Sequence, residues 1–150
     1  MMSIEEQLLQ DMKLAMKAGK KLELETIRML RAQIKTTSID KKDELTDSEV
    51  TQVLQKEAKK RKEAIEMYQS GGREDLVNKE TAELEIIATY LPEQLSDEEL
   101  DSIIKETVSM LQITSEKDVG RVMGAVMPKV KGKADGKVVQ QKVKDIFANL

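Results

Sequence analysis

The chain has 150 residues and contains neither cysteine nor histidine. Without thiols it can form no disulfide, zinc–thiolate centre, iron–sulfur cluster or cysteine nucleophile. Without imidazole it has no Ser-His-Asp triad and no histidine-ligated metal. Acid–base chemistry would fall to Asp, Glu, Lys or Tyr. Tryptophan is also absent, and two tyrosines and one phenylalanine bring the aromatics to 2%. Strands draw on aromatic and β-branched side chains, so this poverty points to helices. Seven glycines and two prolines are too few for a loop-rich or disordered chain. No apolar run approaches the ~20 residues that span a bilayer. The opening residues, Met1-Met2-Ser3-Ile4-Glu5-Glu6, are acidic and lack the apolar stretch of a secretory signal. These absences predict a cytoplasmic protein with no metal, no cofactor and no membrane partner.

Hydrophobic residues are 39% and charged residues 35% of the chain, enough for a core but a modest one. The length suits one ordinary domain or two small ones. Net charge is −3, which alone suggests no nucleic-acid partner. The distribution is less even. Residues 91–119 carry 2 basic and 8 acidic groups, whereas residues 120–150 carry 7 basic and 2 acidic. An acidic block thus meets a basic tail, which fits either a local phosphate-binding face or two complementary helical surfaces.

Helix starts are legible as capping boxes at Ser3-x-x-Glu6, Thr46-x-x-Glu49 and Ser96-x-x-Glu99, with a weaker version at Ser115-x-x-Asp118. Each precedes apolar residues at helical spacing. The pattern predicts helices over 3–18, 21–37, 46–70, 73–90, 96–112, 115–130 and 135–150. Their inner faces are expected to carry Leu8, Ile27, Leu30, Val50, Leu54, Ile87 and Ala88, then Leu100, Ile104, Val126, Val130, Val139, Val143, Phe147 and Leu150. Leu91-Pro92 reads as a junction, because the residue before proline is pushed out of helical geometry. The expected fold is all-α with two helical domains. Residues 1–92 form a four-helix unit containing a long hairpin, and residues 93–150 a three-helix bundle.

Two basic clusters stand out. Lys56, Lys59, Lys60, Arg61 and Lys62 spread around the third helix among Glu57, Glu63 and Glu66, and read best as a solvated, salt-bridged face. The run from Gly120 to Lys137 is more distinctive. Gly120 and Gly124 lie inside a helix, where each costs ~1 kcal/mol against Ala, a cost commonly offset by close packing or close backbone approach. A turn follows with Lys129, Lys131, Lys133 and Lys137, punctuated by Gly132, and Asp135 is placed to cap the last helix. Flexible and cationic, with helix N–H groups beyond it, such a turn could receive phosphate. It could equally be an ordinary inter-helix loop with solvated lysines. The Walker spacing is absent. Tyr68, Tyr90 and Phe147 lie on or beside apolar stripes, so RNA contact would be to backbone rather than to stacked bases. Paired carboxylates such as Glu98-Glu99 have no polar partner that would make an acid–base site.

Four sequence elements resemble the GatB/YqeY family, and in particular its small stand-alone YqeY-like proteins. They are Thr26-Ile27-Arg28-Met29-Leu30-Arg31, Ala58-Lys59-Lys60-Arg61-Lys62-Glu63-Ala64, Tyr90-Leu91-Pro92-Glu93-Gln94-Leu95, and Met123-Gly124-x-x-Met127-Pro128-x-x-Lys131-Gly132-Lys133-Ala134-Asp135-Gly136. The resemblance implies an all-helical, two-domain fold. It also implies kinship with the tail of the B subunit of glutamine-dependent glutamyl- and aspartyl-tRNA amidotransferase, where that tail looks like a tRNA-contacting appendage. The phosphorylating and glutaminase sites of that enzyme lie outside the matching portion, so no catalytic residue is carried over. The expected role is a tRNA-binding accessory module, contacting RNA through Arg121, Lys129, Lys131, Gly132, Lys133, Ala134 and Lys137. The alternatives are a non-catalytic component of a carbon–nitrogen ligase that uses glutamine as amido-N-donor, partnered by amidotransferase subunits, and a protein–protein adaptor.

Overall fold

Seven α-helices and no strand are found in the computed structural model, which describes residues 2–149. The chain is all-α, and it divides into two compact units, one ending at Pro92 and the other starting at Glu93. Leu150, expected on the last inner face, lies outside the described residues.

The first unit contains α1 (Ile4–Ala18), α2 (Lys21–Lys41), α3 (Asp47–Ser70) and α4 (Glu74–Ala88). Ser3 and Thr46 form complete capping boxes with Glu6 and Glu49. The Glu49 carboxylate also accepts from Lys41 Nζ at 2.7 Å, and that bond, followed by those from Thr46, holds its pKa down at about 2. The cap therefore stays ionised across the neutral range. Gly19 ends α1 at φ +68°, a left-handed position that glycine occupies without steric cost. Helix α2 runs four residues beyond the predicted Thr37. Thr36 and Thr37 are accommodated because their hydroxyls donate back to the Ala32 and Gln33 carbonyls.

Helix α3 pairs mainly with α4, making the long hairpin. Val50, Leu54 and Ala58 form an i, i+4, i+8 row and are buried with Leu8, Ile27, Leu30, Ile34 and Ile87. Helix α4 stops two residues before the predicted Tyr90, and Ala88 is exposed rather than inward. Tyr90 takes the buried place at that end. Its hydroxyl donates to Asp11 Oδ2 on α1 at 2.6 Å, and burial together with that carboxylate pushes the phenol pKa upward.

The same inner surface of α3 overturns one expectation. Glu57 and Arg61 are buried, at 4% and 7% exposure, and not part of a solvated face. They continue a second row, Val53–Glu57–Arg61, beside the apolar one. Arg61 pairs with Glu57 along the helix, lies 3.5 Å from Glu83 of α4 through Nε, and directs Nη2 at the Met29 sulfur of α2. Lys60 reaches Glu57 from the rim at 3.2 Å. Lys56, Lys60 and Lys62 remain exposed, as expected.

The second unit contains α5 (Asp97–Met110), a single 3-10 turn at Glu116–Asp118, α6 (Val119–Val130) and α7 (Gly136–Ala148). Ser96 caps Glu99 N at 3.1 Å. Ser115 caps only the 3-10 turn, through Lys117 N, so α6 starts four residues later than predicted. Helix α5 likewise stops short of Gln112, which has φ +53°. Three matching rows build the core: Leu100–Ile104–Val108, Val122–Val126–Val130 and Val139–Val143–Phe147. Residues four apart stack on one helix face, and small β-branched side chains with few rotamers let the three helices approach closely.

Candidate nucleic-acid interface

The second unit places the lysine-rich turn between α6 and α7. Helix α6 contains Pro128, whose missing N–H cannot bond the Gly124 carbonyl. The helix ends at Val130, whose carbonyl accepts from both Lys133 N (2.8 Å) and Ala134 N (3.1 Å). Gly132 sits at φ +78°, a conformation few other residues adopt, and so allows this reversal. Two further bonds come from the segment preceding α5. Gln94 Nε2 donates to the Gly132 carbonyl at 2.8 Å, and Leu95 N to the Lys133 carbonyl at 2.9 Å. Two elements 38 residues apart in sequence, Gln94-Leu95 and Gly132-Lys133, thereby meet in space.

This bonding corrects the expectation of a flexible turn. Its backbone is pinned at four points, and Ala134 is half-buried against the core rather than presented to solvent. The helix terminus beyond it is not open either. Asp135 Oδ1 already accepts from Lys137 N at 2.9 Å, so a carboxylate occupies the place an incoming phosphate would take. The positive potential of the turn comes from side chains, not from the α7 dipole.

Those side chains differ in availability. Lys131 and Lys133 in the turn and Lys137 in the first turn of α7 are exposed. Arg121 is exposed too, but it sits in the first turn of α6, nine residues before Val130 and about 14 Å along the helix from the turn. Lys129 is also exposed, but its Nζ donates to the buried Thr107 hydroxyl at 3.2 Å. Thr107 in turn donates to the Ile103 carbonyl, which ties Lys129 to α5. Lys142, on α7, bonds Asp101 at 3.0 Å and lies 3.7 Å from Asp97. The Asp101 hydrogen bond, with both carboxylates adding, holds its pKa above the usual lysine value. Acidic and basic helices therefore do complement each other, but through Lys142, leaving Lys131, Lys133 and Lys137 to solvent. The roles of Lys129 and Gln94 were missed in the sequence because each depends on a residue distant along the chain.

Gly120 and Gly124 lack the close packing that their helical position suggested. Nothing lies within 4 Å of a Cβ built at either. Each glycine still pays its backbone entropy. Gly120→Ala and Gly124→Ala are therefore each expected to raise stability by about 0.5–1 kcal/mol, measured by urea denaturation. A loss of stability would mean an internal role for the glycine.

A family model for Yqey-like proteins matches residues 5–147. The chain belongs to the YqeY-like family. Among curated proteins, one named "Altered inheritance of mitochondria protein 41, mitochondrial" from Pyrenophora tritici-repentis is 34% identical over 139 residues, covering 91% of this chain and 76% of its own length. An uncharacterised protein of Schizosaccharomyces pombe is 34% identical over 83 residues, 55% of this chain and 68% of its own. A protein of Kluyveromyces lactis, with the same mitochondrial name as the first, is 37% identical over 107 residues, 69% of this chain and 57% of its own. These names correct the cytoplasmic expectation, since they point to mitochondria instead. The expectation rested on the lack of an apolar leader or span. Neither feature separates cytoplasm from the interior of an organelle.

Proposed function

We propose that this YqeY-like chain is a tRNA-binding accessory module that grips phosphates through the α6–α7 turn. The observation carrying the reading is the exposure of Lys131, Lys133 and Lys137 at a turn whose backbone is pinned, with Arg121 a further exposed cation at the start of α6. Cations on a fixed backbone lose less conformational entropy on binding than cations on a mobile loop. The family resemblance to the tail of a tRNA amidotransferase subunit supports tRNA over other polyanions. With Tyr90 and Phe147 buried and Tyr68 half-buried, stacking is poorly served and contact falls to the phosphate backbone.

Lys129 is excluded from the test set because of its bond to Thr107. The variant R121A/K131A/K133A/K137A removes only exposed side chains, so its unfolding midpoint should match the parent. The full chain, titrated with total tRNA and with an unrelated duplex RNA at two salt concentrations, should prefer tRNA. Its log K should fall with log salt at a slope of about −3 to −4 if roughly four phosphates are neutralised. The variant should lose most of that slope. Equal affinity of parent and variant, or no binding by the folded parent at low salt, refutes the reading.

A further inference from the structure

The first unit holds an open groove of about 990 Å³ between the N-terminal half of α1, the C-terminal half of α2 and the start of α3. Its lining is segregated by sign. Helix α2 supplies Arg28, Arg31 and Lys35 along one wall, all exposed. Glu5 and Glu6 of α1 stand on the other, and Glu44 and Asp47 close the end near α3. The same lining includes Leu9 of α1 and Leu45 before α3, half-buried, and Ile39, 63% exposed, which continues the α2 row. Arg28, Arg31 and Lys35 make no ion pair among the described residues, although Arg31 Nη1 donates to Met12 Sδ at 3.2 Å.

We infer that this groove docks an amphipathic helix of a partner protein, with acidic residues on one flank and basic residues on the other. Charge complementarity selects the occupant. A nucleic-acid backbone drawn to the α2 cations would meet four carboxylates in the same groove. A polypeptide helix can carry both signs and place an apolar stripe on Leu9, Ile39 and Leu45. The described residues contain no strand, so an extended segment has no sheet edge to join, whereas a helix can lay an apolar face and two flanks of opposite sign into the groove. The α2 wall from Arg28 to Ile39 extends about 16 Å at ~1.5 Å per residue, matching three turns of a partner helix. The inference is independent of tRNA binding, since none of its residues belongs to the second unit.

Three labelled peptides of about 16 residues test it, sharing one apolar i, i+3, i+4, i+7 face. One carries Glu on one flank and Lys on the other, one carries Glu on both, and one carries Lys on both. Fluorescence polarisation with the full chain should rank the two-sign peptide first, by roughly tenfold over either uniform one. In R28E/R31E/K35E both walls become acidic, and the Lys-only peptide should rank first. Ile39→Asp should weaken all three. Affinities within a factor of about two of each other, a uniform peptide ranking first on the parent, or no binding at about 1 mM would each overturn the inference. The ranking on the parent stands as a test even if the reversed variant fails to fold.

Discussion

Arg61→Ala is expected to cost the first unit about 3–5 kcal/mol, the largest loss of any single charge removal in the chain. Truncation leaves Glu57, 4% exposed, without its arginine partner, and removes the cation 3.5 Å from Glu83. Lys60 retains its contact with Glu57 at 3.2 Å, but from a half-exposed position where screening weakens it. The guanidinium stem also fills space between α2, α3 and α4, so a packing loss adds to the electrostatic one. Removing the whole cluster should behave differently. With Arg61→Met, Glu57→Leu and Glu83→Gln together no buried charge is stranded, and most of the stability should return. Urea denaturation followed by circular dichroism measures both variants. A loss below about 1 kcal/mol in Arg61→Ala would mean that water reaches the cluster, contrary to its burial.

Phe147→Ala should remove about 3–5 kcal/mol from the second unit. Phe147 is 3% exposed and closes the Val139–Val143–Phe147 row of α7. The other buried core residues of this unit are leucine, isoleucine and valine, with six valines whose stiff, short side chains cannot swing in to fill a phenylalanine-sized cavity. A unit of roughly sixty residues holds only about 3–9 kcal/mol in total, at 0.05–0.15 kcal/mol per residue. The variant should therefore unfold this unit partly or wholly at 25 °C, while Phe147→Leu should be far milder. Two unfolding transitions, of which only one shifts, are the expected calorimetric signature. Because α7 carries Lys137 and anchors the turn, tRNA affinity should fall with the fold, unlike in the surface-cation variant. A single unshifted transition would show that α7 is not integral to the core.

Much of this fold was legible in local chemistry. Ser3, Thr46 and Ser96 announced their helices because a hydroxyl just ahead of an apolar stripe satisfies an amide group of the first turn. Ser115 misled, because capping a turn does not by itself choose α over 3-10 geometry. The burial of Arg61 has a signal in the sequence, its place four residues after Glu57 and eight after Val53 on one helical row. Charge masked that row, since a helical face with five cations suggests solvent unless its partners across the interface are known. The groove escaped notice for a related reason. Arg28, Arg31 and Lys35 share a face in the sequence, but the opposing carboxylates come from α1 and the approach to α3.

By itself the sequence determined the all-α class, every helix start but that of α6, the apolar rows apart from Ala88, and the family, since each depends on residues a few positions apart or on contiguous motifs. Tertiary structure alone decided which cations are free. Lys129 is engaged by Thr107, Lys142 by Asp97 and Asp101, and Arg61 by Glu57 and Glu83, whereas Arg121, Lys131, Lys133 and Lys137 face solvent. It also turned a glycine-lysine loop into a pinned turn, through Gln94 and Leu95. The physical reason is the same in each case. A charge or carbonyl is satisfied by whatever the packed helices bring within about 3 Å, and packing couples residues that sequence order separates.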